Sequence, residues 1–257
     1  MGRKPLAIAN WKMAMTISEC LSFVYKFRGA VGDLAHAVDI VLCPPYTALY
    51  PTAQALVDTP IHLGAQNLYT GSGKAHTGEV SAALLADVGC VWVLLGHWEI
   101  HRRLGEGDAE VNTKIHAAFQ AGLRPVLLVG EGAAERGRAE EALTSRLPRL
   151  FDGCSSEQIG RMALVYEPEW TIGMQEPASP DYVAAGCASI RRWIGRAYGT
   201  GVAEGLRIIY GGSVAPERAE GLLASPEVDG LGASRKGRRP DTFAEIVRQI
   251  AAAKARV

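Results

Sequence analysis

The chain has 257 residues, and its 27 Lys and Arg balance 27 Asp and Glu, so the formal net charge is zero. That balance argues against a nucleic-acid or polyanion binder, which usually carries a basic excess. A hydrophobic fraction of 48% with 21% charged residues describes a globular chain with material for a sizeable core, and no window approaches the ~18 uninterrupted apolar residues of a membrane span.

Along the chain, short apolar runs alternate with stretches of helical period. The runs cover residues 6–9, 38–43, 61–65, 91–95, 126–129, 163–166, 206–210 and, more weakly, 228–231. They are continuously apolar rather than alternating, which suits strands buried on both faces of a parallel sheet. Between them Leu21, Val24 and Tyr25 fall at i, i+3, i+4. Val111, Ile115, Ala118 and Phe119 repeat the pattern, as do Val183, Cys187, Ile190 and Ile194, each predicting a helix with one apolar stripe.

No Ser/Gly linker or shift in composition divides the chain, so one domain over residues 1–257 is expected. Eight strand–helix pairs in this length predict a (β/α)8 barrel of the TIM type. A doubly wound open sheet is the competitor, but it usually has a glycine-rich turn after its first strand. Here that turn is Asn10-Trp11-Lys12-Met13.

Functional groups of such barrels collect at the C-terminal ends of the strands. Those positions hold Asn10 and Lys12, His97 and Glu99, Glu131, and Glu167, then Gly211-Gly212-Ser213 and Gly232-Ala233-Ser234. Singly, Lys12 reads as a solvated surface lysine and His97 as a structural imidazole. Glu167, closing an apolar strand, is harder to read as inert, because burying a lone carboxylate is costly. The segment 168–173 is either an ordinary turn or a loop able to swing as a lid. The two small-residue turns after strands seven and eight let backbone N–H groups approach an anion, as phosphate sites in these barrels do.

Five cysteines (Cys20, Cys43, Cys90, Cys154, Cys187) are scattered without a CxxC pair, arguing against a disulfide framework or zinc knuckle. The opening Met-Gly-Arg-Lys-Pro leads into a strand-like run without an apolar h-region. The expected setting is a reducing cytoplasm.

Taken together the strand-end residues resemble the triosephosphate isomerase family over nearly the whole chain. The matching blocks include Ala9-Asn10-Trp11-Lys12-Met13, Leu63-Gly64-Ala65-Gln66-Asn67, Thr77-Gly78-Glu79-Val80-Ser81 and Leu95-Gly96-His97. Gly105-Glu106, Val129-Gly130-Glu131, Tyr166-Glu167-Pro168, Trp170-Thr171-Ile172-Gly173 and Tyr210-Gly211-Gly212-Ser213-Val214 follow in family order. The resemblance implies isomerisation of a small phosphorylated sugar without metal or organic cofactor. In it Glu167 is the base, neutral His97 the electrophile and proton shuttle, and Lys12 with Asn10 stabilises developing negative charge. It further implies phosphate binding by Gly173, Ser213, Gly232 and Ala233, and a lid over 168–178 that includes Pro168, Trp170 and Ile172. Thr77 would reach a neighbouring subunit, implying a homodimer, and nothing implies a nucleic-acid or membrane partner.

The chain also departs from the family pattern. Where the family has Ser-Glu-Arg-Arg after the histidine, this chain has Trp98-Glu99-Ile100-His101. Trp98 is thereby expected to add bulk at the site, with Glu99 beside it, and Ile100 to remove a structurally paired cation. Arg102 and Arg103 are out of register to replace it. The far end of the lid reads Gly173-Met174-Gln175-Glu176 rather than Gly-Thr-Gly-Lys. The last loop is about three residues short near Gly232 and runs into Arg235-Lys236-Gly237-Arg238-Arg239, either a solvated surface or added attraction for phosphate. Two substrates therefore stay open, a triose phosphate and a four-carbon ketose phosphate such as an erythrulose phosphate. The remaining alternative is a non-catalytic sugar-phosphate-binding barrel.

Overall fold

The computed structural model describes residues 2–71 and 73–255. Eight parallel strands follow one another around a closed barrel: β1 (Leu6–Asn10), β2 (Asp39–Cys43), β3 (Ile61–Ala65), β4 (Trp92–Leu95), β5 (Arg124–Val129), β6 (Ala163–Tyr166), β7 (Arg207–Gly211) and β8 (Gly230–Ala233). Closure comes from β8 pairing back onto β1, with Leu6 opposite Gly230 and Ala9 opposite Ala233. The fold is a (β/α)8 barrel, and the open doubly wound alternative fails on that closing pair.

Continuous apolarity of the strands has the expected cause. Inward-facing Ile8, Val41, Leu94, Val126, Leu128, Val165 and Ile209 fill the barrel together with Trp92. The alternate residues, such as Ala7, Ile40, Leu42, Val93 and Leu127, face the helices in a second cluster. Both faces are thus removed from water, contributing about 1.5–3 kcal/mol for each large apolar side chain. Near the N-terminal ends of the strands, Trp92 is flanked by the guanidinium groups of Arg124 at 4.2 Å and Arg207 at 5.1 Å, and Arg207 is paired to Asp39 at 2.6 Å.

The helical stripes over 111–119 and 183–194 pack as the pattern predicts. Helix Asp108–Gln120 buries Val111, Ile115 and Ala118, with Phe119 partly covered, and helix Pro180–Tyr198 buries Val183, Cys187, Ile190 and Ile194. The first stripe is different. Helix Ile17–Val31 turns Cys20, Phe23, Val24, Phe27 and Val31 inward, leaving Tyr25 exposed beneath Arg28 at 5.0 Å. Phe23 stacks on Phe27, and Phe27 on Phe243, at 5.1 and 5.2 Å. Two phenyl rings bury wholly apolar area, whereas the tyrosine hydroxyl is better left in water.

The last strand lies two residues later than its apolar run suggests. Asp229 caps the turn before it, donating from its amide to Ile208 at 2.7 Å, while its carboxylate accepts from the Ile208 amide at 2.8 Å and from Arg3 and Arg191. Pairing starts at Gly230, where an added Cβ would sit 1.8 Å from the carbonyl oxygen of Leu6. Gly232 and Ala233 are therefore strand residues, not a turn after the strand, and the turn begins at Ser234. Small residues are required because the following 3-10 turn (Lys236–Arg238) folds onto the barrel rim: a Cβ on Gly237 would lie 3.2 Å from Ala9 Cβ and 3.5 Å from Ala233 Cβ. Among the described residues no helix is long and apolar enough to cross a membrane.

Candidate active site

The C-terminal ends of the strands open into a cleft of about 730 Å³. Asn10, Lys12, His97, Glu99, Glu167, Ile172, Gly173, Ser213, Gly232 and Ala233 all line it. Pro168, Trp170 and Trp98 lie behind that lining. Thr77 is exposed in the connection 66–81 after β3.

Lys12 follows β1 in a left-handed conformation, φ 53°, which is uncommon for a residue with a side chain. The Asn10 side chain supports it by accepting the Lys12 amide at 3.0 Å, and Gln66 donates to the Lys12 carbonyl at 2.9 Å. Ser213, after β7, is likewise left-handed at φ 51°. Backbone strain collected at two cleft positions is the kind of cost that surrounding structure sustains at functional sites. The Lys12 ammonium meets the Glu99 carboxylate at 2.7 Å. The Glu99 carboxyl is held below its ordinary range: burial pushes it up, but the hydrogen bond and charge of Lys12 outweigh that.

His97 caps helix Trp98–Leu104, its Nδ1 accepting the backbone N–H of Glu99 at 3.0 Å. An accepting Nδ1 carries a lone pair, so the imidazole is the neutral tautomer with its proton on Nε2. That Nε2 lies 3.6 Å from Oε2 of Glu167, too far for a direct hydrogen bond. Glu167 Oε2 is itself buried and has no hydrogen-bond partner among the described residues. A carboxylate oxygen desolvated in this way and aimed into a cleft is primed to take a proton from a bound molecule.

The lid over 168–178 is tied at both ends. At its start, Glu131 is fully buried and accepts from Trp170 Nε1 at 2.9 Å, Tyr182 at 2.7 Å and Tyr166 at 3.0 Å. Glu169 accepts from Arg102 and from the Ala133 amide, each at 2.6 Å. At its end the Ala178 amide donates to the Tyr210 hydroxyl at 3.0 Å, a phenol whose pKa burial pushes up to about 12. Across the cleft mouth the Ser213 hydroxyl lies 2.6 Å from the Met174 carbonyl and 3.0 Å from that of Thr171, its single proton shared between them, and Arg235 also reaches the Met174 carbonyl.

Of the basic run, Arg235, Lys236 and Arg238 line the cleft, which favours its role in attracting an anion over that of a plain solvated surface. A cation does lie near the helix carrying Ile100, from helix Ala139–Leu150. Arg146 bonds Asp108 Oδ1 at 2.8 Å and the Gly130 carbonyl at 2.9 Å, with His101 Nε2 at 3.4 Å. The expected bulk of Trp98 is not found in the cleft lining; its indole donates instead to the main-chain carbonyl of Glu167 at 3.0 Å. Arg146, Glu169 and the exposed Arg218–Glu176 pair at 2.9 Å escaped the sequence reading, since each depends on a partner distant in the chain. The position of Gln66 in a matching block did signal a neighbour of the site.

A (β/α)8 barrel whose strand ends gather a desolvated carboxylate, a neutral imidazole and a paired ammonium belongs to the class of proton-transfer enzymes. Comparison with known proteins narrows this. The triosephosphate isomerase family model matches residues 5–250. The triosephosphate isomerase of Chloroflexus aurantiacus is 40% identical over 230 residues, covering 89% of this chain and 92% of the relative. That of Rhodopirellula baltica is 40% identical over 250 residues, 96% and 98% of the two chains. That of Symbiobacterium thermophilum is 39% identical over 256 residues, 99% and 100%. The chain belongs to the triosephosphate isomerase family.

Proposed function

We propose that this protein interconverts dihydroxyacetone phosphate and glyceraldehyde 3-phosphate through an enediol or enediolate. The observation that carries the reading is the pair Glu167 Oε2 and His97 Nε2, 3.6 Å apart, one an unpartnered acceptor and the other a donor. Glu167 takes a proton from one carbon beside the carbonyl and returns it to the other. His97 donates to the carbonyl oxygen, and Lys12 with Asn10 offsets the charge that develops there. This division of labour is established for triosephosphate isomerases. Gly173, Ser213 and the strand-to-turn segment from Gly232 and Ala233 to Arg235 hold the phosphate. The lid, carrying Pro168, Trp170 and Ile172, excludes water that would otherwise let the enediolate lose phosphate.

The four-carbon alternative drew part of its support from Trp98 as bulk in the site, and that part falls away because Trp98 does not line the cleft. A non-catalytic binder would have no use for an unpartnered base. Purified protein should turn over dihydroxyacetone phosphate and wash solvent deuterium into it. Absence of both activities, or faster turnover of an erythrulose phosphate, overturns the reading.

A homodimer in the cytoplasm completes this proposal. Met13, Tyr46, Tyr69 and Leu84 expose 93%, 42%, 38% and 57% of their surface in the segments following β1, β2 and β3, and Thr77 lies in the same region. Apolar exposure of this kind suits a face covered by a second copy. Sedimentation at a single-subunit mass across micromolar concentrations would count against it.

A further inference from the structure

Trp98 is the first residue of helix Trp98–Leu104, and its Nε1 donates to the carbonyl oxygen of Glu167 at 3.0 Å. That oxygen belongs to the peptide joining Glu167, at the end of β6, to Pro168, where the lid begins. Its other side is closed by the main chain of Gly130, where an added Cβ would lie 2.3 Å from the same oxygen. The Glu167 amide is fixed as well, donating to the Val129 carbonyl at 2.9 Å.

The indole is held in turn. The guanidinium of Arg146 lies 4.8 Å from the Trp98 ring centroid, and the His101 ring 5.2 Å from it. Arg146 donates to the Gly130 carbonyl at 2.9 Å and to Asp108 Oδ1 at 3.2 and 2.8 Å. The same guanidinium therefore braces both walls of the slot that receives the Glu167 carbonyl.

We propose that Trp98, braced by Arg146, is a positioning residue that fixes the main chain of Glu167 and hence the reach of its carboxylate, a role that rests on Glu167 being the base as read above. Proton abstraction from carbon is steep in distance, and a misplacement of about 1 Å costs on the order of 10²-fold. Among the described residues none bonds Oε2 of Glu167, so its aim is set where its main chain is set. In this chain that hold comes from the residue beside His97, so that acid and base are referenced to one another.

Trp98→Phe tests this, keeping an aromatic ring that can stack on Arg146 while deleting the N–H. With dihydroxyacetone phosphate, kcat is expected to fall about tenfold, the effect of one lost hydrogen bond. KM should stay within about twofold and the thermal midpoint within a few degrees. In a double-mutant cycle with Arg146→Lys, the two losses in kcat should fail to multiply, because both act on one slot. Wild-type kcat in Trp98→Phe overturns the proposal, and so does a loss of kcat matched by loss of folded protein or by an equal rise in KM. Absence of turnover in the unaltered protein overturns the isomerase reading and takes this role with it.

Discussion

The ammonium of Lys12 and the carboxylate of Glu99 are 2.7 Å apart in the cleft, each about 30% exposed. The pair spans the site from the turn after β1 to the helix after β4, and it restrains a side chain that is otherwise rotamer-rich. Glu99 also supplies the backbone N–H that sets the tautomer of His97, so one residue orients both electrophilic groups. Its main chain serves the imidazole and its side chain serves the ammonium.

Glu99→Gln leaves the main-chain part in place and removes only the anion. Lys12 then keeps an amide oxygen to bond but loses the opposing charge, worth up to about 1 kcal/mol at a partly exposed site. The expected result is a severalfold fall in kcat/KM with the protein still folded, measured by steady-state kinetics in both directions. An unchanged kcat/KM would mean that Lys12 needs no partner to face the substrate.

Glu167→Asp retracts the carboxylate by one methylene while keeping its charge. The cleft stays lined as before, so KM should change little, and kcat should fall about 10²-fold or more because reach rather than affinity is altered. Kinetics with dihydroxyacetone phosphate checks this. A variant with undiminished kcat would place the base on another residue.

How much of this was legible in the chain depends on whether the cause was local. The strands announce themselves because residues such as Ile8, Leu94 and Ile209 are buried on one barrel face while their neighbours are buried on the other, leaving no polar alternation. Their C-terminal ends then place Lys12, His97 and Glu167 together by topology alone. Three features were hidden. The shift of β8 to Gly230–Ala233 reflects space at the rim, which calls for small residues that carry little apolar signal. The inward faces of Phe23 and Phe27 depended on Phe243, more than two hundred residues away. The direction of Trp98 depended on two remote partners, the carbonyl of Glu167 and the guanidinium of Arg146. Spacing in the sequence encodes a helix face but not which neighbour an indole N–H will find.

Glu131 illustrates a strand-end carboxylate whose work is mechanical. Its two oxygens accept from Trp170, Tyr182 and Tyr166 in a site with no exposure. Glu131→Gln keeps the shape but replaces one carboxylate oxygen by an amide nitrogen that only donates, so at least one of these three hydrogen bonds must be lost or reversed. A buried donor left unmatched costs about 1–3 kcal/mol. Urea unfolding should register that loss. KM should also rise severalfold, because Trp170 anchors the base of the lid. Intact stability with an unaltered KM would show the three contacts to be dispensable.

Asp108 accepts from Arg146 and Arg149, at 2.8 and 2.9 Å. Burial pushes its carboxyl pKa up, but the hydrogen bonds and charges of Arg146 and then Arg149 outweigh that and hold it below the ordinary range. A carboxyl whose pKa is lower in the folded than in the unfolded chain adds stability above its unfolded value, about 3.9, and loses it as pH falls through the folded value. Asp108→Asn should therefore be less stable than the unaltered protein at pH 7, by about 2 kcal/mol. That gap should narrow as pH falls below about 4, where the carboxyl of the unfolded chain takes up a proton while the native one still resists it, and it closes once the native carboxyl is protonated too. Urea titrations at pH 7 and at pH 3 read the difference directly. A gap of equal size at both values would trace the loss to altered packing around Arg146 rather than to the charge of Asp108.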